Sequence, residues 1–477
     1  VHSLNRRSLL QLMLGAIISS DEISTPLGRL HGTQNANARI FLGIPFAQPP
    51  VGILRFRAPL PARPWRGVRA ATTQPPAPMQ AGAEQISEDC LYLNVFAPKS
   101  KGPHPVFVWI YGGGNNAGSA SNPSFEGSNF ARDGVVCVVI NYRVGALGFL
   151  ELGDGSGNNG IRDQVQALRW VRENIASFGG DPQQVTVGGQ SAGAKNVAAL
   201  MASPDAKGLF QRAIMESGSA QTVHTTQQAQ VVTAMMMKQA NVSANQLRAL
   251  DVHFLLEAQR RVLAAYPANY PFRPVVDGSF LPDVPLKQIA KGSAVDLLLG
   301  TNRDEMVAFL DPAHAAEPLN QKELGNMRIE ALTPLEGAYK SAFPALSIAD
   351  IHIRMLTAEE YWIPSVRIAE VRSGQRAQTF MYRFDHSPAR GPFAKKSAHG
   401  SESPFVWDHA KPETQALAAK VHAAWVAFIR GGHPQATGLP SWPVYQTAKR
   451  ETMILDDQSH VEPDPNRAER EIWNNRL

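Results

Sequence analysis

The chain has 477 residues, 44% of them hydrophobic and 18% charged, a composition that builds a buried core and excludes a disordered chain. Its 46 basic and 41 acidic side chains leave a net charge of +5 with no dense Lys/Arg run, so the electrostatic footprint of a nucleic-acid binder is missing. Two cysteines, Cys90 and Cys137, exclude a disulfide framework and a thiolate metal site, and Cys137 reads as a buried thiol.

Arg6-Arg7-Ser8-Leu9-Leu10 opens an apolar stretch that ends at Ile18. This layout resembles a twin-arginine export signal, so residues 1–20 are expected to form a signal-like segment and the protein to be periplasmic or secreted. The competing reading is an amphipathic extension on a cytoplasmic protein, since no Ala-x-Ala site follows. The stretch falls short of the about 20 apolar residues that a spanning helix needs, and stable membrane insertion is not expected. From Ile23 onward no repeat and no long low-complexity linker divides the sequence. Residues 21–477 are therefore expected to form one domain.

Val106 to Tyr111 reads as a buried strand and runs into Gly112-Gly113-Gly114. A loop without side chains lets backbone N–H groups approach a carbonyl closely, so Gly113 and Gly114 are candidate oxyanion donors. Val135 to Asn141 is the second buried run. Ile161, Val165, Leu168 and Ile175 then recur at helical spacing until Gly179-Gly180-Asp181-Pro182 stops the pattern.

Val185 to Val187 is a third strand, followed by Gly189-Gln190-Ser191-Ala192-Gly193 and a helical stretch, Ala194 to Met201. A sharp strand-to-helix turn tolerates no side chain two residues either side of an exposed nucleophile, which explains the two glycines around Ser191. The helix beginning at Ala192 would aim its first N–H groups at a developing oxyanion. Alone the five-residue pattern is weak, and it is the strand–turn–helix context that gives it content. A fourth strand, Val295 to Leu299, precedes Gly300-Thr301-Asn302-Arg303-Asp304-Glu305. Thr379 to Phe384 is strand-like and precedes the loop that holds His399. Strands alternating with helices predict an α/β fold with a mostly parallel central sheet flanked by helices, and chemistry at the strands' carboxyl ends.

Three long blocks carry a family resemblance. Residues 178–193, FGGDPQQVTVGGQSAG, Glu88 to Pro98, EDCLYLNVFAP, and Asn141 to Leu150, NYRVGALGFL, resemble the markers of the type-B carboxylesterase family, which includes the cholinesterases. Similarity extends from about Gly28 to Trp473. The resemblance implies an α/β-hydrolase fold and hydrolysis of small-molecule carboxylic esters, with neither metal nor cofactor. It implies a triad in the chain order Ser191, Glu305, His399. His399 stands in an Ala-His-Gly-Ser-Glu loop similar to the family's His-Gly-x-Glu block, with His386 and His409 as rivals. For the acid, Asp304 is the neighbouring alternative to Glu305. Ala192 joins Gly113 and Gly114 as the oxyanion hole, and Ser217 and Glu402 are implied beside the triad, unless they are simply hydrogen-bonded core residues.

The sequence also departs from that family. Gln190 stands where Glu usually precedes the nucleophile, and Asn115-Asn116 stand where an aromatic usually follows the glycines. Removing a carboxylate lowers the repulsion an anionic ester would meet, so polar or anionic esters are one reading. The other is neutral drift in a broad short-chain esterase. Residues 72–89 contain no aromatic side chain, against a choline site, and offer no partner for Cys90. Met306 replaces the glycine that usually follows the acid. Tyr270 and Phe272 either line an acyl pocket or pack in the core. Amide or carbamate hydrolysis is an alternative on the same site, and a non-catalytic adhesion module is a third reading.

Overall fold

The computed structural model describes residues 21–474 and 476. The expected export segment, residues 1–20, lies outside the described residues. Twelve strands follow one another across a single twisted path: β1 (Asp21–Thr25), β2 (Gly28–Gln34), β3 (Arg39–Pro45), β4 (Tyr92–Ala97), β5 (His104–Ile110), β6 (Val136–Ile140), β7 (Gly180–Gln190), β8 (Arg212–Glu216), β9 (Asp296–Asn302), β10 (Thr379–Phe384), β11 (Glu451–Leu455) and β12 (His460–Pro463). Their spatial order is β1-β2-β3-β4-β6-β5-β7-β8-β9-β10-β11-β12. From β6 to β11 every neighbouring pair is parallel, and antiparallel strands close both ends.

The parallel strands are apolar because both of their faces are covered. All five residues of β6, Val-Cys-Val-Val-Ile, are buried. Along β5 the side chains alternate between two cores: Val106, Val108 and Ile110 join the larger one, and Phe107 and Trp109 the other. That two-residue period is what places one core on each side of the sheet. Helix α1 (Asn159–Asn174) turns Ile161, Val165 and Leu168 inward and leaves Arg169, Arg172 and Glu173 exposed. Arg143, in the loop after β6, is tied to Asp163 of α1 by a buried ion pair at 2.6 Å. Helix α2 (Ala192–Ala202) is buried almost all round. Its alanines allow it to lie close against the sheet on several sides.

The expected strands are all present, and β7 is longer than the hydrophobic run suggested. It begins at Gly180, where the Gly-Asp-Pro sequence reads as a turn, because pairing of Gly180 with His104 precedes an irregularity in the register before Val185. Cys90 and Cys137 are free and buried, and burial pushes both thiols far up. Among the described residues no helix is long and apolar enough to cross a membrane.

Candidate active site

β5 and β7 are parallel neighbours with Ile110 opposite Gly189, so the glycine loop and Ser191 leave the sheet side by side. Packing there is close enough to account for each glycine. A Cβ on Gly189 would lie 2.5 Å from the Gly193 carbonyl carbon, and one on Gly193 would lie 2.0 Å from the Ile110 oxygen. A Cβ on Gly112 would lie 2.9 Å from the Ser191 Cβ. At Gly189 and Gly193 the crowding inferred from the sequence is therefore backbone against backbone.

Ser191 occupies φ 57°, ψ −123° at the start of α2, and its side chain does not cap that helix. Such a conformation is costly for a non-glycine residue and is held by its surroundings. Here the Ser191 N–H is fastened to the Glu216 carbonyl at 2.9 Å. The N–H groups of Gly113, Gly114 and Ala192 donate to no protein acceptor among the described residues. Gly113 and Gly114 have φ of +105° and +62°, which bare backbone adopts at little cost.

Glu305 follows β9 and His399 follows β10, adjacent strands in which Asn302 pairs with Phe384. His399 Nδ1 lies 2.5 Å from Glu305 Oε2, and the His399 N–H donates to the Glu305 carbonyl at 3.2 Å. Asp304 faces away; its Oδ2 accepts from the Ser397 N–H and from Arg303, both at 3.0 Å. The rival histidines are elsewhere: His386 is beside Asp457, and the His409 N–H donates to Pro404. Met306 is buried, its N–H donating to Thr357, and leaves the Glu305 contact in place.

Glu305 is fully buried. Its Oε1 accepts from the Ser217 hydroxyl at 2.5 Å, the Asn302 N–H at 2.7 Å and the Asn302 amide at 3.4 Å. The same Asn302 amide donates to Glu402 Oε2 at 2.5 Å. Burial, with the Glu305 charge nearby, pushes the Glu402 carboxyl up to about 7. Ser217 and Glu402 thus both stand behind the imidazole, joined by Asn302, a residue that sequence reasoning missed.

His399 Nε2 is the end of the ring free to act. The expected partner was Ser191, but the structure gives it the Gln190 side-chain amide at 3.1 Å. With Nδ1–H directed to Glu305, Nε2 carries a lone pair, and the amide N–H donates to it. A glutamate in that position has no hydrogen to donate, so this contact belongs to the substitution. Among the described residues no hydrogen bond joins Ser191 Oγ to the imidazole. Tyr361 and Phe309 enclose the ring, with centroids 4.9 Å and 5.0 Å away. Tyr361 comes from a single π-helical turn, Ala358–Trp362, the kind of irregularity that recurs at functional sites. The sequence signal was the Glu359-Glu360 pair inside an otherwise apolar helical pattern.

Beside Ser191 a small, partly open hollow is lined by Gly114, Asn115, Lys195, Tyr270, Phe272 and Arg273 among others. Tyr270 and Phe272 thus line a cavity. Asn115 is buried and exchanges hydrogen bonds with Asn196, at 2.9 Å from the Asn196 amide to Asn115 Oδ1. Larger clefts occur on the surface, among them one bordered by Pro49, Ile53 and Tyr92, but none of their walls includes Ser191.

A parallel sheet with a serine on a strained strand-to-helix turn, and an acid and a histidine beyond later strands, defines an α/β-hydrolase. Comparison with known proteins makes the class specific. The model of the carboxylesterase family matches residues 19–473. A para-nitrobenzyl esterase of Bacillus subtilis (strain 168) is 38% identical over 485 residues, covering 94% of this chain and 97% of the relative. Carboxylesterase 1D of Rattus norvegicus is 35% identical, covering 85% and 83%. A solved structure titled as a PNB esterase superposes with a TM-score of 0.85 at 36% identity, covering 95% of this chain and all of that one. The chain belongs to the carboxylesterase family, and is a carboxylic ester hydrolase.

Proposed function

We propose that the chain is a serine carboxylesterase working through Ser191, His399 and Glu305, with Gly113, Gly114 and Ala192 as the oxyanion hole. His399 Nε2 takes the Ser191 proton as Oγ bonds to the ester carbonyl carbon; the three N–H groups hold the resulting oxyanion. The carbon–oxygen bond to the alcohol then breaks and the alcohol leaves with the proton from His399. Water repeats the sequence on the acyl-enzyme, releasing the acid and restoring the serine. For the first transfer the Gln190 amide swings off Nε2 and the Ser191 hydroxyl replaces it.

The observation that carries this reading is the 2.5 Å contact between His399 Nδ1 and Glu305 Oε2. It holds the tautomer whose Nε2 lone pair faces the Gly189–Ser191 turn. Ser191→Ala is expected to abolish turnover of an aryl acetate and labelling by a fluorophosphonate while leaving the melting temperature near that of the parent. Retained turnover with loss of labelling would point to another nucleophile. Gln190 in place of a carboxylate further supports acceptance of polar or anionic esters, since it adds no charge on the Nε2 side of the imidazole to repel them.

A further inference from the structure

The hollow beside Ser191 has a charge pattern that the hydrolytic machinery does not require. Two cations, Lys195 and Arg273, are in its wall, and no aspartate or glutamate is. Lys195 sits four residues after Ser191 in α2, about 6 Å further along the helix axis. Its ammonium is ion-paired from behind with Glu360, which is 1% exposed, and lies 5.4 Å and 5.3 Å from the Tyr270 and Tyr361 ring centroids. Glu360 takes one of the three ammonium hydrogens. Two remain for a ligand.

Arg273 is 8% exposed. It donates to the Tyr270 carbonyl at 2.8 Å, the Gly325 carbonyl at 2.6 Å, and the Asn269 carbonyl and side chain at 2.8 Å and 2.9 Å. All four acceptors are neutral, and among the described residues no carboxylate pairs with it. A guanidinium has five N–H donors, so one is uncommitted. A buried charge without a counter-ion is costly, and its field is felt nearby: burial and the Arg273 charge together hold the His224 imidazole down to about 3.

The position of the hollow decides which half of an ester enters it. The departing alcohol must face the imidazole that protonates it, and His399 does not line the hollow. The acyl half therefore occupies it. Resting on the acyl-enzyme reading above, we propose that Lys195 and Arg273 form a carboxylate subsite for the far end of the acyl chain. The preferred substrates are then half-esters of short dicarboxylic acids, succinyl or glutaryl in length, whose terminal carboxylate reaches the cations when the ester carbonyl is at Ser191. The enzyme would release the dicarboxylate and an alcohol.

Benzyl hydrogen succinate and benzyl butyrate differ only in a terminal carboxylate against a methyl group. In the parent at neutral pH, kcat/KM for the succinate is expected to equal or exceed that for the butyrate. That ratio should fall about tenfold or more in Lys195→Met/Glu360→Gln, which removes both ends of the buried pair, and in Arg273→Gln. A parent ratio well below one, or a ratio unmoved in both variants, overturns the subsite. Fluorophosphonate labelling reports whether the variants fold. Should they not, inhibition of butyrate hydrolysis by free succinate and by butyramide is compared on the unaltered protein. Stronger inhibition by succinate that fades in 1 M salt supports the subsite, and equal inhibition overturns it. If the parent neither hydrolyses the butyrate nor is labelled at Ser191, it is the serine-esterase reading that fails instead.

Discussion

On the His399 side of Ser191 the buried Glu305 is met by donors on both oxygens; on the hollow side Lys195 is paired with Glu360 while Arg273 has no carboxylate against it. Glu305 has three hydrogen-bond donors on one oxygen and the imidazole on the other. Both oxygens are held, one by Ser217 and Asn302 and the other by the imidazole. Across the serine, Glu360 neutralises Lys195, while Arg273 meets only neutral acceptors. Groups that act on each other are locked in pairs, and groups that would act on a ligand are left with an open valence. Gln190 lies on the boundary, donating to His399 Nε2 where a glutamate would add a further carboxylate.

The contrast can be broken most severely at Glu305. Glu305→Gln keeps the shape and removes the charge that orients and stabilises the imidazolium, so kcat is expected to fall by on the order of 10³–10⁴. A loss of less than tenfold on an aryl acetate would mean that the imidazole does not depend on this carboxyl.

A second test exploits the carboxyl that is not paired with the base. Glu402 has its carboxyl raised to about 7 by burial and by Glu305, against about 4.5 in the unfolded chain. The folded state therefore binds this proton more tightly. The stability it contributes is fully present below about pH 4.5 and is lost as pH rises through about 7. In Glu402→Gln that loss disappears. Thermal melts should show the variant gaining on the parent across this window, by about 3 kcal/mol above pH 7. A difference that does not change with pH would show that Glu402 is charged throughout.

The smallest and sharpest change is at the boundary. Gln190→Glu replaces a donor to Nε2 with a carboxylate that favours the imidazolium. The acid limb of kcat/KM is expected to move to higher pH by up to about one unit, and the preference for benzyl hydrogen succinate over benzyl butyrate to drop a few-fold. An unmoved limb would show that the Gln190 contact does not persist in solution.

Much of the molecule was legible before any coordinates. The buried strands announced themselves because parallel strands covered on both faces need continuous apolar runs. The glycines around Ser191 were legible because steric exclusion leaves an unmistakable residue choice. Glu305 rather than Asp304 was read only through resemblance: adjacent carboxylates are equivalent in a string of letters, and it is the exit direction of β9 that turns one toward β10. Lys195 and Arg273 went unread for a different reason. A lysine in an alanine-rich helix and an arginine before Pro274 look like solvated charges until other segments close over them.

Local steric and hydrophobic rules act over a few residues, so the order of the amino acids alone specified the sheet, the tight turn at the serine and the bare loop beside it. Which amide occupies the histidine nitrogen, and which cations lack a counter-ion, were settled by groups brought together from distant parts of the chain. Electrostatics and hydrogen bonding depend on distance in space, and folding alone sets that distance.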